Sequence, residues 1–224
     1  MISDPRLGDG LFSPAAYARE DEAADDHFYV IPRKVVHIDD GAIVALGRLY
    51  AELLPSGGRL LDLMSSWRSH LPEGFNTRAV VGLGLNAEEM ADNPQLTTHV
   101  VYDLNRDPRL PFADEKFDGA MCAVSIQYVV HPLLVFREVR RVLRPGAPFV
   151  VSFSNRCFPT KAVAVWLDTS DEQHLTLVRT YFTAAGGWTD AQAENRSLGG
   201  HGDPLYTVWA RASAGTTAAR PTIA

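Results

Sequence analysis

The chain has little of what would staple it and nothing that would carry it through a membrane. Of 224 residues only two are cysteine, Cys122 inside an apolar run and Cys157 in a polar turn, so neither a disulfide framework nor a cysteine-based metal site is expected. No apolar run approaches the roughly eighteen residues that span a bilayer. The N-terminus, MISDPRLGDG, has neither a basic region nor an apolar stretch behind it, so no secretory leader is expected and a cytoplasmic location is predicted. No two of the seven histidines stand at metal-ligand spacing with a carboxylate or thiol, so no metal is expected. A basic surplus is missing too. The formal net charge is −6, and the first 26 residues supply most of it, with seven acids against Arg6 and Arg19. The remainder is close to neutral, which argues against nucleic acid as a partner.

What is present is the balance of a soluble globular domain, 46% hydrophobic and 21% charged. The composition predicts an acidic flexible arm over residues 1–26, one domain over 27–211, and a small, polar, flexible tail over 212–224. Within the domain, GAIVALGRLYAELL (41–54) places Ile43, Leu46, Leu49 and Leu53 at helical spacing, with Asp39 or Asp40 available as N-cap. Short apolar runs at 59–64, 79–83, 98–103, 118–124 and 148–154, with PLYTVWARA near the end, read as strands. Short helical candidates follow the first two, one interrupted by Pro72 and Gly74, the other being NAEEMADN. PLLVFREVRRVLRPG opens on proline, presents Leu133, Phe136, Val139 and Leu143 on one face, and ends in arginines and Gly146, as capping and the helix dipole require. SDEQ (170–173) reads as a capping box opening a helix through Val178 and Phe182.

Alternation of strands and helices with near-continuously apolar strands means an α/β fold, a mostly parallel sheet covered on both faces. Ligands in such sheets bind beyond the carboxyl ends of the strands. The positions of interest are therefore 63–68, 84–87, 103–104, 125–128 and 154–157.

In chain order, LPFADEKFD (110–118), SIQYVVHP (125–132) and FREVRRVLRPGAPFVVS (136–152) resemble the class I S-adenosylmethionine-dependent methyltransferases, in particular the type 11, ubiquinone-methyltransferase-like group. The resemblance runs from about residue 57 to 155. It implies a Rossmann-like seven-stranded sheet, S-adenosylmethionine as cofactor, and methyl transfer to a small-molecule acceptor with neither nucleic acid nor membrane as partner. The oligomeric state stays open.

The resemblance fails at two cofactor positions. The family's first strand ends in an acid, here Asp62, followed by a glycine-rich loop that lets the backbone approach the cofactor. This chain has Met64, Ser65, Ser66, Trp67 and Arg68 instead, side chains that are expected to crowd the cofactor space and to disfavour positive φ. The family's second strand ends in an acid that accepts from the ribose hydroxyls. Gly84 stands at that position, with Asn86 two residues on as a substitute acceptor. Asp103 falls where the family has the acid that accepts from the adenine amino group. The loop is substituted rather than deleted, because Asp62 and Gly84 keep the family's separation of 22 residues.

The residues implied for the cofactor are Asp62, Ser65, Ser66, Gly84, Asn86, Asp103, Leu104 and Ser125. His37 and Tyr128 stand near the acceptor, with Arg156 to orient it. Each has a plainer reading: Asp62 as a strand-end carboxylate, Ser65 and Ser66 as caps of a helix start, Trp67 as packing, His37 as a partner of Asp39 or Asp40, and Arg156 as a solvated turn residue beside an Asn155 that caps a helix begun at Pro159. Two rival functions also stand. One keeps the fold but binds another ligand or catalyses a reaction without methyl transfer, as the degenerate loop suggests. The other takes Gly82, Gly84 and Ala87 as a Gly-x-Gly-x-x-Ala turn, with Asp103 following 19 residues after Gly84, and makes the protein a dinucleotide-binding oxidoreductase.

Overall fold

A computed structural model describes residues 12–199 and 202–214. Seven strands form one sheet in the order β3-β2-β1-β4-β5-β7-β6. The strands are β1 (Arg59–Leu63), β2 (Ala79–Gly84), β3 (Thr98–Val101), β4 (Gly119–Ala123), β5 (Pro148–Phe153), β6 (Gln192–Asn195) and β7 (Tyr206–Arg211). The first five pair in parallel, whereas β7 runs antiparallel to β5 and β6. The order reverses between β1 and β4, so the carboxyl ends of β1, β2 and β4 border one crevice.

The period of two splits each strand between two cores. Leu60, Val80, Met121 and Val150 face α2 (Asp40–Leu53), which buries Leu46, Leu49 and Tyr50 against them. Leu61, Val81, Ala120, Cys122, Phe149 and Val151 face the other way, onto α4 (Pro132–Val142) and α6 (Asp171–Ala185), whose Phe136, Val139, Leu177 and Phe182 are buried. Three shorter helices complete the set: α1 (Asp25–Phe28), α3 (Ala87–Ala91) and α5 (Ala164–Leu167). The caps are local. Asp39 Oδ1 accepts from Ala42 N–H at 2.8 Å to start α2, and Ser170 N–H donates to Gln173 Oε1 at 2.9 Å to start α6.

The structure differs from the sequence reading at four places. No helix follows β1: residues 64–78 run as turns and extended chain. No helix begins at Pro159, where a turn leads into α5. Strand β6 carries no apolar run, being the polar edge segment QAEN. Finally, the acidic segment expected to be loose is docked from Tyr17 onward, with Ala18 O accepting from Ala164 N–H and Asp21 N–H donating to Thr160 O. Lys161, fully buried, reaches Asp25 at 3.2 Å and Asp21 at 3.1 Å, and Arg19 adds a contact to Asp25 at 2.7 Å. A buried ammonium needs carboxylates within reach, and the acids of this segment supply them. The expected flexible tail lies outside the described residues from 215 onward.

Candidate active site

The loop after β1 is built on two carboxylates. Asp62, at the end of β1 and 3% exposed, accepts from Ser65 Oγ at 2.6 Å and Ser69 Oγ at 2.7 Å, both on its Oδ2. No cation stands beside it among the described residues, and burial pushes its carboxyl up to about 6 despite the two hydroxyl donors. Ser66 Oγ donates to Glu89 Oε2 at 2.5 Å, and Asn93 Nδ2 ties Ser66 O and Ser69 Oγ together. Trp67 lines the cavity, half-buried, and donates from Nε1 to Val35 O at 2.9 Å, with the Arg68 guanidinium 4.1 Å over its ring. The serine side chains thus fold back onto protein carboxylates instead of filling the crevice. Met64 adopts φ +57° and His70 φ +58° without being glycine, and Val124 at the end of β4 has φ +50°, a costly conformation for a β-branched residue.

The loop path explains Gly84. Ser65 N–H donates to Leu83 O at 2.8 Å, which lays the loop along the end of β2. A Cβ at Gly84 would then stand 2.1 Å from Ser65 O. No side chain fits there, so the missing acid and the missing glycines are one structural change. The Gly82-x-Gly84 spacing serves packing, since a Cβ at Gly82 would meet Leu96 Cδ1 at 2.6 Å. Asn86 is engaged as well. Its Oδ1 accepts from Glu89 N–H at 3.0 Å as the N-cap of α3, and its Nδ2 donates to Tyr29 O at 2.8 Å.

Opposite this wall stands an aromatic one. Phe158 packs edge-on to Phe28 and His37, with centroids 5.4 Å away in both cases, and stacks on Tyr128 at 6.1 Å. Phe158 N–H donates to the Tyr128 hydroxyl at 2.8 Å, and burial holds that phenol up to about 12. Burial lowers His37, and burial with His37 nearby lowers His70 to about 4, so both rings are neutral near pH 7. His37 therefore pairs with neither Asp39 nor Asp40. Asp39 is taken by the start of α2 and by Asp203 N–H at 2.7 Å, and Arg156 Nε reaches Asp203 Oδ1 at 2.9 Å.

All eleven residues singled out in the sequence line a single cavity of about 590 Å³. Residues 29–39 form part of its wall, and Arg33 N–H fastens this segment to Glu89 Oε1 at 2.6 Å. Asp103 Oδ1 accepts from Asn105 and Arg106 N–H at 2.9 and 3.2 Å, and Ser125 Oγ donates to Ala123 O. Leu104 is buried beneath them. Sequence reasoning missed Arg33, Glu89, Asn105, His70 and Phe158. Among these, only Glu89 carried a signal, as an acid within the helical segment NAEEMADN after β2.

The sheet order, the parallel core and the crevice at the strand reversal define the fold of the class I S-adenosylmethionine-dependent methyltransferases. In sequence, residues 70–151 match the family described as "Methyltransferase domain", so the serine loop lies just outside the match. The biotin biosynthesis bifunctional protein BioHC of Teredinibacter turnerae is 33% identical over 83 residues, 36% of this chain and 15% of that protein. Methyltransferase phqN of Penicillium fellutanum is 35% identical over 83 residues, 34% of this chain and 26% of that one. The chain thus spans only a small part of the length of both curated relatives. Among solved structures, the cyclase SpnF aligns with a TM-score of 0.57 at 18% identity, over 85% of this chain and 92% of its own. Phosphoethanolamine N-methyltransferase 2 of Haemonchus contortus, in complex with S-adenosyl-L-methionine, aligns with a TM-score of 0.53 at 14% identity, over 76% and 52%. These likenesses concern the fold. The chain carries a methyltransferase-domain sequence on a Rossmann-like methyltransferase scaffold.

Proposed function

We propose that the protein transfers a methyl group from S-adenosylmethionine to a small-molecule acceptor. The observation that carries this reading is the 590 Å³ cavity, which has an acid-lined wall at β1–β3 and an aromatic wall at Tyr128 and Phe158. Its size suits a cofactor with a small acceptor. The cofactor fits the side chains present. The serines are turned into the protein, and among the described residues Asp103 has no donor on its Oδ2, so that oxygen can accept from an amino group. Asp103, Leu104 and Ser125 would hold the adenosine end. Asp62, with Ser65 and Ser66, shapes the loop beside it.

S-adenosylmethionine, when bound, supplies an electrophilic methyl on a good leaving group. The chain's task is then alignment, exclusion of water and, for an acceptor that carries a proton, a base. His37 is neutral and can take that proton on a ring nitrogen. Tyr128 keeps its proton and orients the acceptor through its hydroxyl. Arg156, fixed by Asp203, sits at the rim and favours an acceptor with a carbonyl or anionic group. Segment 29–38 covers the cavity.

A second reading is favoured by the Ser65–Gly84 contact and by the likeness to a protein named a cyclase: the same cavity serves a reaction without methyl transfer. Calorimetric titration with S-adenosylmethionine and S-adenosylhomocysteine separates the two. Saturable binding is expected, weakened roughly tenfold or more by Asp103→Ala through loss of a charged acceptor. A folded protein that binds neither ligand at high micromolar concentration overturns the methyltransferase reading.

A further inference from the structure

We infer that Glu89 is the carboxylate that receives the ribose diol of the cofactor, relocated there from the end of β2. The inference rests on the cofactor reading above but concerns a residue that the motif pattern does not point to.

Three observations lead to it. First, the end of β2 cannot carry an acid, because Ser65 O lies 2.1 Å from where a Cβ of residue 84 would be. That carbonyl is held by the bond from Ser65 N–H to Leu83 O, so the exclusion is built into the backbone. Second, Glu89 lines the cavity while only 7% exposed, and no Lys, Arg or His approaches it within ion-pair distance among the described residues. A buried carboxylate without a cation needs its lone pairs filled by hydrogen-bond donors. Glu89 has two, Arg33 N–H at 2.6 Å on Oε1 and Ser66 O–H at 2.5 Å on Oε2. A carboxylate offers about four acceptor sites, so one on each oxygen is left for a ligand. Third, two hydroxyls on adjacent carbons present two donors at about the separation of two carboxylate oxygens, and Glu89 lines the same cavity as Gly84, Leu85, Asn86 and Asp103. The two donors already present fix the carboxylate, so a ligand binds a group whose orientation is set beforehand.

The test is a cycle between protein and ligand, read by calorimetry. S-adenosylhomocysteine and its 2′,3′-dideoxy analogue are titrated into the wild-type chain and into Glu89→Gln. For the wild type, loss of the two hydroxyls is expected to weaken binding roughly tenfold or more, and Glu89→Gln is expected to weaken the parent ligand by a similar factor. The dideoxy ligand is expected to bind both proteins alike. Equal losses for both ligands on Glu89→Gln would mean that Glu89 acts only by holding Arg33 and Ser66, and would overturn the proposal. If Glu89→Gln does not fold, the wild-type comparison still decides: indifference to the hydroxyls overturns the proposal alone. A folded wild type that binds neither parent ligand nor S-adenosylmethionine removes the cofactor reading and this inference with it.

Discussion

The two walls of the cavity are held by different forces. At β1–β2 a loop without glycine from Met64 to Glu73 is fixed by hydroxyls and amides around two carboxylates, Asp62 and Glu89, neither with a cation beside it among the described residues. At β4–β5 the wall is a set of rings in edge and stacked contact around Phe158. Aromatic packing depends on shape and hardly on pH. A buried acid held by neutral donors depends on both proton and geometry. The chain departs from the methyltransferase pattern it resembles on the first wall: serines stand for glycines, the Ser65 carbonyl takes the space of a side chain at Gly84, and a helix glutamate faces the same cavity.

The largest effect that would break this contrast is expected at Gly84. In Gly84→Ala the new methyl meets a backbone oxygen, so the loop must move rather than a side chain turn. A loss of about 3 kcal/mol in chemical denaturation is expected. A stability within experimental error of the wild type would mean that the loop does not lie on β2.

Asp62→Asn tests the same wall by pH. The folded-state carboxyl titrates at about 6, above its unfolded value near 3.9. The folded state therefore holds the extra proton between the two values. Its contribution to stability is complete below about pH 4 and lost as pH rises through about 6. Between pH 4 and pH 7 the wild type should lose on the order of 3 kcal/mol relative to Asp62→Asn. Parallel stability profiles for the two proteins would show that Asp62 titrates as a solvated acid.

The same contrast marks what the sequence made legible. Strands β1, β2, β4 and β5 were readable because burial on both faces leaves continuous apolar runs, the less buried β3 and β7 because of their β-branched and aromatic residues, and α2, α4 and α6 because their caps and apolar stripes are local. Strand β6 was not, since QAEN at a sheet edge buries little and needs no apolar signature. All eleven candidate residues do line one cavity, yet the sequence misjudged how the loop uses them. Serines following a strand-end acid were expected to crowd the cofactor space, whereas a buried acid without a cation draws them back. Asn86, read as a substitute acceptor for the ribose, caps α3 by accepting from Glu89 N–H. The glutamate side chain instead joins Arg33 and Ser66, 56 and 23 residues away in the chain, and no local pattern records such partners.

The smallest effect concerns how the first wall holds the segment that passes over the cavity. Trp67 Nε1–H reaches Val35 O, while the neighbouring Val35 and Val36 side chains stay largely exposed. Few apolar contacts anchor that stretch, so a single hydrogen bond carries an appreciable share of its local stability. In Trp67→Phe the ring still packs beneath Arg68, but the donor is gone. The expected loss is about 1 kcal/mol or less, a roughly fivefold rise in opening, confined to amide exchange around residues 33–38 with global unfolding unchanged. Unaltered exchange there would show that Arg33 N–H on Glu89 and Lys34 on Glu88 and Asp92 hold the segment without Trp67. Faster exchange would mean that the serine loop fixes both a wall of the cavity and the segment that covers it.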